Sequence, residues 1–562
     1  MGIDRRKFIK SIGLGTIMLS AHPFSALSSG IASSEALSSD KAPYADDGPQ
    51  VQIGDTIAIA ETEYGKVKGY IMRGVYTFLG IPYAAETSGK NRFMPPRKHE
   101  PWAGVRPAVF YGNTAPQDVY SRASTSYDMF VDHWNYDEIS ENCLCLNIWT
   151  QGIADGKKRP VIVWLHGGGF TRGNGIEQDG YNGENITRYG DVVYCSINHR
   201  LGVFGFTDLS AFGEKYKDSG NAGLLDMAAA IRWIHDNIAN FGGDPGNVTV
   251  IGQSGGGAKV CLLATMPAMR GLIHKGVSLS GSAIRANQPK YTRLLGKYIA
   301  KEAGLSATEV DKLQDMPWRD YMELAYRAAA RMEKEEGESG MVRGSFGPIE
   351  DGVHLPEGEF FSNASSPDIP MIFCTTFHEW GVNRADSGQE EITAAQAIEQ
   401  LSEPYGERAK DIYNAYARNF PEAKPIEVLI LVHSSRLSVI EAATAKKKQG
   451  SPVYMAWFGF CPSLFDGRMR AFHCLDISFW FLNTDLMITH SGGGARPRKL
   501  SYKMADALLS FVRTGNPNCS SLPKWPEFTV KDGETMILND RCEVKNDPDK
   551  EGRTVLMNSF KK

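Results

Sequence analysis

The sequence predicts an α/β architecture, a large and mostly parallel central sheet flanked by helices, and three observations carry the prediction. From about Thr56 onward, apolar runs bounded by turn residues alternate with helical patterns, which is the signature of βα units. Two of those runs feed glycine-rich turns: residues 161–165 (Val-Ile-Val-Trp-Leu) precede His166-Gly167-Gly168-Gly169, and residues 248–251 (Val-Thr-Val-Ile) precede Gly252-Gln253-Ser254-Gly255-Gly256. The chain has 562 residues, 42% of them hydrophobic, ample material for one large core. No internal repeat or linker divides residues 56–562, which read as one domain with helical loops inserted over one end of the sheet.

The first segment reads as an address rather than structure. Arg5-Arg6-Lys7-Phe8-Ile9-Lys10 places an apolar and a basic residue behind an arginine pair, and a mild apolar stretch follows over residues 12–26. That stretch is too short and too rich in Gly and Ser for a permanent anchor. The pattern is similar to a twin-arginine signal. It implies a bacterial protein handed to the Tat translocase already folded and delivered to the periplasm or beyond. Residues 1–34 hold this signal and the start of a Ser/Ala/Asp-rich tether, with cleavage expected near the tether's start. Residues 35–55 continue the tether as a disordered segment. No later segment reaches about 18 uninterrupted apolar residues, so no stable membrane anchor is expected.

Within the domain, residues 191–197 form a further buried strand. Met227, Ile231, Ile234 and Ile238 share one face of a helix over residues 226–240. Residues 369–376 and 452–460 are later strands, and residues 426–447 carry a helical pattern. The formal net charge of −4 and the lack of a polybasic patch exclude a nucleic-acid footprint. Cys143 and Cys145 are alternate residues of a strand-like run, without zinc spacing around them. No metal and no cofactor is expected.

Chemistry begins at Ser254. A serine between an apolar strand and a helix, flanked by small residues, suits a nucleophile elbow, where a strained backbone exposes the hydroxyl. Gly337-Glu338-Ser339-Gly340 lies in a charged helical stretch and lacks the final glycine. Hydrolysis at a carbonyl builds negative charge on its oxygen, and backbone N–H groups must already face it. The N–H groups of Gly168 and Gly169, with that of Gly255 behind the serine, are the expected donors of this oxyanion hole.

With both motifs in order on strand ends, the chain is identified as an α/β-hydrolase that resembles the type-B carboxylesterase family, the group of cholinesterases and bacterial p-nitrobenzyl esterases. The matching stretches include Phe78-Leu-Gly-Ile-Pro-Tyr-Ala84, Ser140-Glu-Asn-Cys-Leu-Cys-Leu-Asn-Ile-Trp149, Asn198-His-Arg-Leu-Gly-Val-Phe-Gly-Phe206, Gly220-Asn-Ala-Gly-Leu-Leu-Asp226 and Arg513-Thr-Gly-Asn-Pro517. The resemblance implies two structural ion pairs, Arg92 with Glu141 and Arg200 with Asp226. It also implies a chain order of serine, acid and histidine. Among His433, His473 and His490, His473 follows a strand and its loop and sits in a segment similar to the family's catalytic-histidine segment. Glu379, in the turn His378-Glu379-Trp380-Gly381 after a strand, matches the family's acid, although the usual preceding aspartate is His378 here. Asp351 and Asp386 are the competing carboxylates.

Three departures stand out. Gln253 occupies the position where cholinesterases carry glutamate, which does not favour an ammonium substrate. Ala115 stands where the family usually has a cysteine partner for Cys143. Nine cysteines are an odd number, with Cys519 and Cys542 the candidate pair near the C-terminus. The expected activity is therefore hydrolysis of small-molecule carboxylic esters through an acyl-enzyme, with Ser254, His473 and Glu379 as the triad. A dedicated hydrolase of one natural ester, toxin or polyester fragment is the alternative, and a catalytically silent binding module the third reading. Specificity belongs to residues 113–139 and 290–343, and the sequence does not fix the oligomeric state.

Overall fold

Strands buried on both faces read as continuous apolar runs, and the centre of the fold is built from them. The computed structural model describes residues 49–119, 138–336, 346–380 and 387–560. The twin-arginine segment and Asp386 lie outside the described residues. Among those described, twelve strands form one sheet. In spatial order they are β1 (Val51–Gln52), β4 (Tyr70–Met72), β5 (Val75–Pro82), β7 (Cys145–Thr150), β9 (Val193–Ile197), β8 (Arg159–Leu165), β10 (Gly243–Gln253), β11 (Lys275–Leu279), β12 (Met371–Thr376), β13 (Val453–Phe458), β14 (Glu534–Leu538) and β15 (Glu543–Asn546). Strands β2 (Ile59–Thr62), β3 (Gly65–Lys68) and β6 (Val105–Pro107) make a separate small sheet.

The seven strands from β9 to β14 all run parallel. Antiparallel strands flank them on both sides, so the parallel character belongs to the centre. Side chains of β8 alternate between two apolar layers: Val161, Val163 and Leu165 enter one, Ile162 and Trp164 the other. Helix α1 (Ala222–Asn237) covers the first layer with Met227, Ile231 and Ile234, all fully buried. Helix α2 (Gly255–Leu263) follows the serine. Helix α3 (Ala495–Thr514) covers the second layer with Met504, Leu508 and Phe511. Each such side chain contributes roughly 1.5–3 kcal/mol on full burial.

Both ion pairs implied by the resemblance are present and buried. Arg92 donates to Glu141 at 2.7 and 2.6 Å, and Arg200 to Asp226 at 2.8 and 2.7 Å. Removing one partner of such a pair strands a buried charge, at about 3–5 kcal/mol.

Several local expectations are corrected. The sheet begins at Val51, which pairs with Met72, inside the span whose composition reads as tether. The helical pattern over residues 426–447 is two helices, Pro425–Val432 and Arg436–Lys447, broken at residues 433–435. By length and composition residues 425–447 could cross a membrane, but Val428, Ile430, Val439 and Ala442 are buried in the protein. Cys519 and Cys542 are both free thiols; the Cys542 thiol donates to Asn539 O instead.

Candidate active site

The serine is held where the sheet hands over to a helix. Ser254 separates β10 from α2 and has φ 57° and ψ −125°, a conformation L residues adopt only under constraint. Its N–H donates to Leu279 O, at the end of neighbouring β11, at 2.8 Å. Close approach demands glycine at two places beside it. A Cβ on Gly281 would lie 1.5 Å from Ser254 O, and one on Gly255 would lie 2.2–2.5 Å from the backbone of Gly169. The elbow is thereby pressed against the loop that leaves β8. That loop turns through Gly168 at φ 77° and Gly169 at φ 63°, so the three glycines singled out in the sequence come together.

Glu379 and His473 lie on the loops that leave β12 and β13, neighbouring parallel strands in register from Met371 with Val453 to Thr376 with Phe458. The loops are stitched by two backbone bonds, His378 N–H to Ala471 O at 3.0 Å and His473 N–H to Glu379 O at 3.2 Å. His473 Nδ1–H donates to Glu379 Oε2. The other carboxylate oxygen accepts the Thr375 hydroxyl and, at 2.9 Å, Thr376 N–H. Both side chains are buried. Burial pushes the Glu379 pKa up, but the imidazole and the donated hydrogen bonds outweigh it, and the carboxyl titrates below its usual range. Burial pushes the His473 ring down, yet the Cys474 sulfur and Glu379 carboxylate prevail, so its pKa lies well above the usual imidazole value.

Ser254 Oγ makes no hydrogen bond to His473 among the described residues; its neighbour Gln253 does the touching. Gln253 Nε2 lies 3.4 Å from His473 Nδ1 and 3.3 Å from Nε2, while Gln253 Oε1 accepts the Cys474 thiol at 3.0 Å. The Trp380 ring, half-exposed, lies 4.1 Å from the imidazole at 33°. Unbound sites often leave catalytic hydrogen bonds long or unmade until substrate arrives.

The competing residues are engaged elsewhere. Asp351 Oδ1 accepts three backbone N–H groups of its own turn, from Val353, His354 and Leu355, and Oδ2 accepts Asn221 Nδ2. His433 ends a helix and stacks on Tyr405. His490 is buried in the short helix Ile488–Ser491, edge-on to Phe472. Two residues that the sequence reading passed over belong to this region. Cys474 carries φ 74° beside His473. Asp476 is wholly buried, and burial together with the Glu379 charge pushes its pKa to about 7. A His-x-x-Asp spacing was the visible signal for Asp476. Among the described residues no group of three or more His, Cys, Asp or Glu side chains is arranged to hold a metal ion.

This geometry suits acyl transfer, and the likeness to known proteins points the same way. Residues 57–554 match the model of the carboxylesterase family. A para-nitrobenzyl esterase of Bacillus subtilis (strain 168) is 32% identical over 511 residues, covering 90% of this chain and 99% of that protein. A phenmedipham hydrolase of Pseudarthrobacter oxydans is 31% identical over 503 residues, covering 88% and 97%. Among solved structures, an esterase from anaerobic Clostridium hathewayi that can hydrolyze aliphatic aromatic polyesters superposes with a TM-score of 0.78 at 34% identity, covering 90% of this chain and 99% of that one. A family match over most of the chain, on an α/β-hydrolase fold, leads to one conclusion: the chain belongs to the carboxylesterase family and is a carboxylic ester hydrolase.

Proposed function

We propose that this esterase works through Ser254, His473 and Glu379, with Gly168, Gly169 and Gly255 as the oxyanion hole, on small or aryl carboxylic esters. The observation that carries the reading is the buried Glu379–His473 hydrogen bond, set against the residue next to a serine held at positive φ. Neutral His473 takes the Ser254 proton on Nε2 as Oγ attacks the ester carbon. The carbonyl oxygen becomes an oxyanion facing the three glycine N–H groups. Collapse breaks the C–O bond, and the imidazolium returns its proton to the departing alcohol. Water then attacks the acyl-serine, giving its proton to His473; the acid leaves and the serine is restored. Glu379 fixes the imidazole tautomer and stabilises the imidazolium.

An organophosphate reacts fast and stoichiometrically with an activated serine, so it separates this reading from a silent binding module. One equivalent should attach per chain, on the peptide holding Ser254, and Ser254→Ala should take up none. Failure to label the native protein would refute the assignment. The Clostridium hathewayi relative supports a second reading, a dedicated hydrolase of polyester fragments, and rates on short aliphatic, aryl and terephthalate esters divide the two. The leader adds a location: we propose export through the twin-arginine route to the periplasm or beyond.

A further inference from the structure

Behind the oxyanion loop lies a group of buried titratable side chains that the reaction does not use: His166, Glu177, His199 and Lys259. Lys259 sits on α2 four residues after Gly255, so the two share one helix face. Its side chain is wholly buried. Nζ donates to His166 O at 2.9 Å and lies 5.9 Å from the centre of the Phe170 ring. His166 and Phe170 bracket Gly167-Gly168-Gly169, so one amino group reaches both ends of the loop. The same helix meets the loop backbone to backbone, for a Cβ on Gly256 would lie 2.0 Å from Leu165 O and 2.9 Å from His166 O.

The far side of His166 is braced as well. Its ring stacks on His199 with centres 5.0 Å apart at 15°. Each ring donates Nδ1–H to a backbone carbonyl, His166 to Gly167 O at 3.0 Å and His199 to Arg200 O at 2.8 Å. Arg200 in turn is locked to Asp226. Burial lowers the pKa of both rings, and the Lys259 charge lowers them further, so they stay neutral. Burial also draws Lys259 down to about 7, against the pull of the Glu177 carboxylate. An apolar side chain of similar length would fill this space without the desolvation cost. What the amine adds is its bond to the carbonyl at the start of the loop.

We infer that Lys259 is a positioning residue for the oxyanion hole, pinning the His166 carbonyl and so fixing the backbone that carries the Gly168 and Gly169 N–H groups. The inference rests on the serine-esterase reading above. Lys259→Met keeps the length and removes the donor; Lys259→Gln keeps a neutral donor. Active sites are counted by organophosphate uptake, then kcat and KM are measured on p-nitrophenyl acetate, with the Ki of an aryl trifluoromethyl ketone, which forms an oxyanion adduct on an active-site serine. For Lys259→Met, kcat per labelled site should fall about 10- to 100-fold, less than the roughly 10²- to 10³-fold cost of losing an oxyanion donor itself. KM should stay within about twofold and the ketone Ki should rise in step with the loss of kcat, as expected for an interaction made in the transition state. Lys259→Gln should recover part of the loss. A residue that merely supports folding would reduce the labelled fraction or the melting temperature and leave turnover per labelled site intact. Wild-type turnover per site in both variants, or a loss that leaves the ketone Ki unmoved, overturns the inference. Native protein that takes up no label sinks the Ser254 assignment instead.

Discussion

A carboxylate buried against an imidazole sets the ring's tautomer and its proton affinity together, so its removal should show in both rate and pH dependence. Glu379→Gln keeps the side chain's size and an acceptor for Thr376 N–H but removes the charge that helps hold the His473 pKa up. We expect kcat to fall roughly 10²- to 10⁴-fold with KM little changed. In the proposed mechanism His473 accepts the serine proton only when neutral, so activity should rise with pH as His473 loses its proton. Because its pKa is raised, the midpoint in the native enzyme should lie above the ordinary value of about 6.5. In the glutamine variant that midpoint should move down even as the plateau drops. A pH–kcat/KM profile checks both, and a variant with native turnover and an unmoved midpoint would remove Glu379 from the triad. Gln253 allows the converse experiment. Its amide nitrogen lies within 3.4 Å of both ring nitrogens, so Gln253→Glu sets a second carboxylate beside the base and should move the midpoint further up.

Elements place these residues by packing backbone against backbone, which leaves no room for even a methyl group. A Cβ on Gly281 would fall 1.5 Å from Ser254 O, and backbone cannot rotate aside as a side chain can. Gly281→Ala should therefore displace the elbow, and a displacement near 1 Å costs about 10²-fold in rate. Gly304→Ala is the control: Gly304 has φ 68° with open space around its Cβ position, so that variant should lose roughly 1–2 kcal/mol of stability and keep its kcat. Equal turnover in the two variants would contradict the close-packed elbow. The sequence reveals such parts unevenly, for physical reasons. The runs that became β8, β9, β12 and β13 are mostly apolar because both faces are covered, and the turns after β8 and β12 carry the glycine and His-Glu motifs. The flanking antiparallel strands depend on tertiary pairing, and neither they nor the break at residues 433–435 leave such a mark. Lys259 is hidden more thoroughly, since a lysine on a helix is ordinarily solvated. The touch of Gln253 on His473 joins residues 220 apart in the chain, which no local pattern encodes.

At the scale of the whole molecule, thiols and topology bear on the proposed twin-arginine export. The described residues include all nine cysteines, and none is paired. Cys143, Cys145, Cys195, Cys261 and Cys374 are buried, and burial raises their pKa values, which keeps them protonated and unreactive in the folded state. The sheet joins strands distant in sequence, with β9 lodged between β7 and β8, and β13 paired to β14 some eighty residues on; non-local pairing of this kind folds slowly. A chain threaded unfolded into an oxidising space would expose nine thiols to mispairing while that sheet assembles. Under the proposed export, folding first in the reducing cytoplasm would seal most of them, and the twin-arginine route carries folded cargo. Replacing Arg5 and Arg6 with lysines should therefore leave a folded, organophosphate-reactive precursor in the cytoplasm and little enzyme in the periplasm. Exchanging residues 1–34 for a leader that exports unfolded chains should instead deliver protein with non-native disulfides and a low labelled fraction, both read by non-reducing gel and active-site titration. Normal periplasmic accumulation of the twin-lysine form would show that the arginine pair is not the export signal. Full activity after unfolded export would separate the free thiols from the choice of route.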